Sequence, residues 1–200
     1  MQGSRSDQPR AMHSHARGQT PSSLLRRAAM LGAPALLMGA WAPLGELRAK
    51  PHEEARARAP TIGERVNDFT LPTEAGELSL RGLGGKLIYL DFWASWCAPC
   101  RLSFPWMESM NQQYASSGLS ILAVCLDQQT QDAASFLRQQ RPSFSIAYDP
   151  SARVATSFAV QTMPSSFFIE WPSLTLIASH RGFRSSDTKI LTELIRRRLS

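Results

Sequence analysis

The sequence contains little cysteine and little charge. Three cysteines in 200 residues are too few for the disulfide framework of a small secreted mini-protein. Only 19% of the residues are charged, and 12 glycines with 13 prolines do not indicate a collagenous or wholly disordered chain. With 43% hydrophobic residues, the length suits one globular domain and an appendage.

Basic residues are in excess only in the N-terminal part of the chain. Residues 1–59 contain nine Lys/Arg and four Asp/Glu, whereas residues 60–200 contain thirteen and twelve. The second part also lacks long blocks of like charge with interleaved aromatic residues. No nucleic-acid partner is therefore expected, although the pI of about 9.8 lies in the range of nucleic-acid-binding domains.

The N-terminal segment has the layout of an export signal. Arg26-Arg27 precede an apolar run from Ala28 to Leu44, which predicts a signal peptide or a membrane anchor. Whether it is cleaved or retained, and whether it uses the Sec or the Tat route, stays open. We expect a signal or anchor region at 1–49, a linker at 50–60 and a folded domain at 61–200, located in the periplasm or on the periplasmic side of the inner membrane.

The hydrophobic pattern of the folded domain predicts alternating strands and helices. A continuous apolar run from Leu87 to Trp93 holds a single acid, Asp91, and indicates a buried central strand. The resulting order predicts an α/β domain with one mixed central sheet and helices on both faces. The other predicted strands are Val66–Leu71, Leu78–Leu80, Leu119–Leu126, Phe144–Tyr148, Ser166–Glu170 and Leu174–Ser179, and the predicted helices are Cys97–Tyr114, Ala133–Gln140, Ser151–Phe158 and Ser186–Leu199.

A Cys-x-x-Cys motif, Cys97 to Cys100, follows the central strand. Such a motif serves as a redox dithiol, as half of a zinc site or as a haem attachment site. A zinc site needs a second ligand pair, but the only other cysteine is Cys125 and no His pair has ligand spacing, so no metal is expected. Haem attachment needs His after the second cysteine, where this chain has Arg101. The motif therefore predicts a redox dithiol.

Three residues can carry the redox chemistry. Cys97 would begin a helix, where unpaired N–H groups and the helix dipole stabilise a thiolate, and we expect an exposed nucleophile with a lowered pKa. Cys100 would lie one turn later, shielded, and close on Cys97. Burial should raise the pKa of Asp91, so that it could accept and return the proton of Cys100. The alternative for Asp91 is a solvated acid at a strand edge.

The segment Asp91–Cys100 resembles the thioredoxin active site. Arg101–Pro105 and Met163–Ile169 are similar to the TlpA/ResA-like branch, which consists of membrane-tethered or periplasmic thiol-disulfide oxidoreductases. The resemblance covers roughly residues 62–198 and implies a thioredoxin fold.

The resemblance also implies how a substrate would bind. It predicts a cis peptide bond before Pro164, which would face the dithiol across a groove. Met163 would offer backbone hydrogen bonds to an extended substrate strand. Trp96, Ala98 and Pro99 are the remaining expected substrate contacts.

Two positions depart from the family pattern. The TlpA-like branch often has Asn or another residue at the position of Asp91, so the proton acceptor could be another acid, of which Glu108 is the next along the chain. Thr162 stands where glycine is frequent, and substrate preference could differ accordingly.

These observations predict an exported enzyme that reduces disulfides in client proteins. Cys97 would attack the client disulfide and Cys100 would resolve the mixed disulfide, with no cofactor. Because the periplasm is oxidising, the resemblance implies a membrane thiol-disulfide transporter of the DsbD or CcdA type as electron donor. Expected clients are apocytochrome c, in cytochrome c maturation, or a copper-site assembly protein.

Other functions remain open from the sequence. The same dithiol could work in the opposite direction, as an oxidant or isomerase, and the redox potential would discriminate between the two. Cys97 and Cys100 could instead bind Cu(I) in a copper chaperone, although such sites usually add a His or Met. A peroxidase of the peroxiredoxin type would need a lone peroxidatic cysteine after a loop containing Pro and Thr, which is not seen.

Overall fold

The computed structural model describes residues 58–200. The predicted regions 1–49 and most of 50–60 lie outside the described residues. Within residues 58–200, no helix combines the length and the apolar character needed to cross a membrane. The strands are β1 (Thr70–Thr73), β2 (Gly76–Ser79), β3 (Leu87–Trp93), β4 (Leu119–Cys125), β5 (Ser145–Tyr148), β6 (Ser165–Glu170) and β7 (Thr175–Arg181). The helices are α1 (Ala98–Tyr114), α2 (Thr130–Gln140), α3 (Arg153–Ser157) and α4 (Thr188–Leu199).

Five strands form one mixed sheet in the order β5-β4-β3-β6-β7. The three strands β3, β4 and β5 are parallel, whereas β6 runs antiparallel to β3 and β7 antiparallel to β6. Strands β1 and β2 form a separate antiparallel hairpin. The predicted mixed sheet is confirmed, and its central strand has the predicted bounds.

Strand β3 is buried along its whole length. Its side chains alternate between two cores: Tyr89 and Trp93 pack with residues of α1, α2 and α4, and Ile88 and Phe92 pack with residues of α3 and the β1–β2 hairpin. Because both faces are covered, the strand needs no polar side, which explains its continuous apolar run. The expected helices on both faces of the sheet are confirmed.

Two predicted elements begin three or more residues away from the expected position, whereas the others begin within two residues of it. The start predicted for the strand Val66–Leu71 is wrong: β1 begins at Thr70 and overlaps the prediction only at its end. Val66 is instead buried outside the strand and donates its N–H to the carbonyl of Leu174 at 2.8 Å. Helix α2 begins three residues before the predicted Ala133. Its first turn is polar and exposed, so it carries no apolar periodicity by which it could be recognised.

A buried carboxylate holds the short helix α3 in place. Asp149 follows β5, is 2% exposed, and accepts hydrogen bonds from the backbone N–H groups of Arg153 at 3.0 Å, Val154 at 2.8 Å and Ala155 at 3.0 Å. A helix of five residues is not stable alone. Its position against the sheet therefore depends on this cap and on the burial of Val154 and Ala155.

We expect Asp149→Ala to lower the free energy of unfolding by about 1–3 kcal/mol, because three helix N–H groups lose their acceptor. Asp149→Asn keeps one acceptor oxygen and should lose less. Urea unfolding of both variants measures this, and an Asp149→Ala variant as stable as the parent protein would contradict the capping role.

Candidate active site

The two cysteines of the motif form a disulfide at the start of α1. Their sulfur atoms are 2.05 Å apart, and Cys97 is the N-cap of α1, which begins at Ala98. The backbone N–H of Cys100 donates to Sγ of Cys97 at 3.2 Å. The prediction that Cys97 begins a helix is confirmed, and the same N–H would stabilise a thiolate on Cys97 once the disulfide opens.

The exposure of the two cysteines differs in part from the expectation. Cys100 is fully buried, as predicted, but Cys97 is only 4% exposed. The prediction of an exposed Cys97 is therefore wrong for the disulfide form, in which its sulfur is bonded to Cys100. Cys97 reaches the surface only where it lines a groove.

This groove lies between the start of α1 and the loop before β6, and has a volume of about 330 Å³. It brings together four of the five predicted substrate contacts with Cys97, and all its lining side chains are uncharged. Gln161 was missed, because nothing in its sequence surroundings marks it before the loop is placed. The lining residues are Trp96, Cys97, Ala98, Pro99, Gln161, Thr162 and Met163.

Pro164, the fifth predicted contact, is buried and does not line the groove. The Met163–Pro164 peptide bond is cis, as the resemblance implied. The carbonyl of Pro164 accepts the N–H of Gly182 at 2.7 Å, which joins this loop to the residue after β7. Of the pair, Met163 is the one that reaches the groove.

Asp91 is fully buried in the middle of β3, so it is not a solvated acid. The hydroxyl of Tyr89 donates to Oγ of Ser166 at 2.7 Å, and the hydroxyl of Ser166 donates to Oδ1 of Asp91 at 2.7 Å. Oδ2 has no partner among the described residues. Burial raises the pKa of Asp91 to about 7, and hydrogen bonding within this group only partly opposes the shift.

The sequence did not indicate the partners of Asp91. Ser166 lies 75 residues away and meets Asp91 only because β6 pairs with β3 at that position. On β3, Asp91 lies between Tyr89 and Trp93, which pack in the same core as Cys100. The carboxyl therefore points to the side of the sheet that carries the dithiol, and its catalytic role stays a prediction.

The structure also shows the surroundings of Glu108 and Cys125, two further residues that can ionise. Glu108, the alternative proton acceptor, accepts hydrogen bonds from the N–H of Ser143 at 2.8 Å, its hydroxyl at 2.7 Å, and Gln112 at 2.8 Å. Burial opposes ionisation, but these bonds lower the pKa of Glu108 overall. The Glu108 carboxylate therefore links α1 to the loop before β5 by hydrogen bonds. Cys125 is fully buried, and burial raises the pKa of its thiol to about 12.

A disulfide of this kind at a helix start, beside a cis-proline loop on a mixed sheet, defines a thioredoxin-fold redox protein. The family model described as the AhpC/TSA family matches residues 62–173. That is more than half of the chain, and the chain belongs to this family.

Relatives of the chain are named for the same chemistry. The thiol-disulfide oxidoreductase ResA of Bacillus cereus is 29% identical over 110 residues, which cover 54% of this chain and 64% of that protein. The crystal structure of a protein assigned as thiol:disulfide interchange protein DsbE from Chlorobium tepidum is 39% identical, with a TM-score of 0.68, and covers 71% of this chain and 100% of that chain. Both names agree with the expected enzyme class, thiol-disulfide oxidoreductase.

A more distant likeness supports the fold alone. The solution structure of a protein assigned as a protein disulfide isomerase from Bacteroides thetaiotaomicron has a TM-score of 0.63 at 21% identity, and the match covers 70% of this chain and 91% of that one.

We expect Asp91 to make stability depend on pH. The ordinary pKa of Asp is 3.8 and that of folded Asp91 is about 7, so the folded state binds the extra proton between these values. The contribution of Asp91 to the free energy of unfolding is therefore greatest below about pH 4, and it falls by at most about 4 kcal/mol as pH rises to 7.

Urea unfolding between pH 4 and 8 tests this in Asp91→Asn, which should lack that loss of stability. Because the other carboxylates are common to both proteins, the difference between the two curves isolates Asp91. Ser166→Ala removes a hydrogen bond that lowers the pKa of Asp91, so the stability of this variant should continue to fall to a higher pH than that of the parent protein. Superimposable curves for Asp91→Asn and the parent would show that Asp91 is ionised throughout this range.

Proposed function

We propose that this protein reduces disulfides of client proteins by thiol–disulfide exchange outside the cytoplasm. The observation that carries the proposal is the arrangement of the dithiol. Cys97 lines an uncharged groove at the start of a helix, whereas Cys100 is fully buried behind it. The sulfur of Cys97 can therefore contact a client disulfide, whereas the sulfur of Cys100 can react only with Cys97.

The exchange proceeds in two steps. The Cys97 thiolate of the reduced protein attacks one sulfur of the client disulfide, and the other client sulfur leaves with the bonding electron pair. The Cys100 thiol gives its proton to Oδ2 of Asp91 and attacks Sγ of Cys97, which releases the second client sulfur. Two electrons pass from the dithiol to the client, the disulfide of this structure is formed, and no cofactor takes part.

The groove fits an extended, uncharged segment around a client cysteine. Its walls are Trp96, which is 71% exposed, and the loop from Gln161 to Met163. A strand laid along Met163 could accept and donate backbone hydrogen bonds there, with affinity from the main chain and from apolar contact with Trp96.

The cellular setting rests on the sequence. The basic pair and apolar run at 26–44 favour export, and an oxidising compartment cannot keep a dithiol reduced without a donor. We therefore assign the re-reduction of Cys97–Cys100 to a membrane thiol-disulfide transporter of the DsbD or CcdA type. Apocytochrome c, with its own Cys-x-x-Cys-His motif, and copper-site assembly proteins are the proposed clients.

We expect Cys100→Ser to accumulate mixed disulfides with client proteins, since attack by Cys97 continues but resolution stops. Covalent adducts should appear on non-reducing gels of the exported protein and disappear with reductant. Cys97→Ser is the matched control and should form none. Adducts of equal amount in both variants, or in neither, would contradict the division of roles.

We expect the reduction potential of Cys97–Cys100 to lie near or below about −220 mV, as for reductases of this fold. Equilibration of the full chain with a glutathione series measures it. A value nearer about −120 mV would identify an oxidant, and the direction of electron flow proposed here would be wrong.

A further inference from the structure

The loop that leads from β3 to the dithiol is held at Ser95. The N–H of Ser95 donates to both carboxylate oxygens of Asp127, at 3.1 Å each. Its carbonyl accepts a hydrogen bond from Nη2 of Arg101 at 3.1 Å. Two side chains of opposite charge, from two different parts of the chain, thus bind the same residue two positions before Cys97.

The burial of Asp127 indicates that its carboxylate has a specific structural or functional role. It follows β4 and is only 4% exposed, and a buried carboxylate is costly unless its oxygens are well bound. Asp127 places both oxygens on one peptide N–H of the loop. No motif in the sequence marks it, because it lies 30 residues after Cys97.

Arg101 is held in turn by α2. Its guanidinium carbon lies 5.4 Å from the ring centre of Phe136, within the range of a cation–π contact. Phe136 is 2% exposed and packs on Phe104 and Trp93, with ring centres 4.8 and 4.9 Å apart. A rigid aromatic group therefore supports the cation that binds the carbonyl of Ser95.

We propose that Asp127 and Arg101 are positioning residues for Cys97, which keep its sulfur at the groove when the disulfide is open. In the oxidised form the bond to Cys100 fixes the loop. After reduction that bond is gone, and the place of Cys97 depends on the hydrogen bonds of residues 94–97, of which Ser95 makes those to side chains. The inference rests on the proposed role of Cys97 as the attacking sulfur.

The two side chains also act on the thiolate with opposite sign. The anion of Asp127 disfavours a nearby thiolate, and the cation of Arg101 favours it. Loss of Arg101 should therefore raise the pKa of the Cys97 thiol, whereas Asp127→Asn should lower it. If Arg101 and Asp127 had only a structural role, their substitution would slow the reaction but would not shift the pKa of the Cys97 thiol in opposite directions in the two variants.

The test compares the reduced full-length variants Asp127→Ala, Asp127→Asn, Arg101→Ala and Arg101→Lys. The rate of insulin disulfide reduction should fall on the order of 10- to 100-fold in the two alanine variants, as expected for a displaced nucleophile. Asp127→Asn, which keeps an acceptor, and Arg101→Lys, which keeps the charge, should lose less. The pH dependence of Cys97 alkylation, followed by mass spectrometry, gives the thiol pKa in each variant.

Asp149→Ala is the matched control. It removes a buried carboxylate that also accepts backbone N–H groups, so it reports what loss of stability alone does to the rate. The double variant Asp127→Ala/Arg101→Ala should lose less activity than the product of the single losses, because both act on Ser95. In the double variant Arg101→Ala/Asp149→Ala, the loss of activity should equal the product of the two single losses.

Two results would overturn the inference. One is a rate for Arg101→Ala within twofold of that for Asp149→Ala, and the other is a pKa of the Cys97 thiol that moves in the same direction in Arg101→Ala and in Asp127→Asn. Neither reading needs Asp127→Ala to fold. The parent protein and Cys97→Ser are measured in parallel. An inactive parent, or an active Cys97→Ser, would contradict the proposed function and with it the positioning role, whereas an active parent with an inactive Cys97→Ser restricts any failure to the positioning role.

Discussion

The complete burial of β3 is the constraint on which the rest of the active site depends. Neighbouring strands pair with both of its edges, and the two cores cover its faces. The one acid in this strand therefore has no water to stabilise its charge, and its pKa rises to about 7. The strand ends at Trp93, and residues 94–96 connect it to Cys97 at the start of α1.

The three cysteines differ in how far each can react with an external disulfide. Cys97 and Cys100 lie three residues apart on one helical turn, yet one lines a groove and the other is fully buried. The third cysteine, Cys125, lies at the end of β4 beside the end of β3, and burial holds its pKa near 12. A thiol that stays protonated is a poor nucleophile, so exchange is confined to the dithiol.

The sequence was sufficient where a feature is local. The apolar run of β3 and the Cys-x-x-Cys spacing are each contained in about ten residues, and the structure has them where they were predicted. The contacts of Ser166 and Asp127 depend on strand pairing over 75 and 32 residues, and no local pattern reports such a pairing. The exposure of Cys97 was overestimated because the other wall of its groove, residues 161–163, comes from a distant part of the chain.

The uncharged lining of the groove determines how this enzyme would meet its partners. Between residues 60 and 200 the positive and negative charges nearly cancel, and no charged side chain lines the groove. Long-range electrostatic attraction to the folded domain should therefore contribute little to the encounter, and association of this domain should proceed at the unsteered rate of about 10⁵–10⁶ M⁻¹ s⁻¹, almost independent of ionic strength. Under the proposed exchange, such a surface would select a client by the accessibility of its disulfide in an extended segment more than by the net charge of the client.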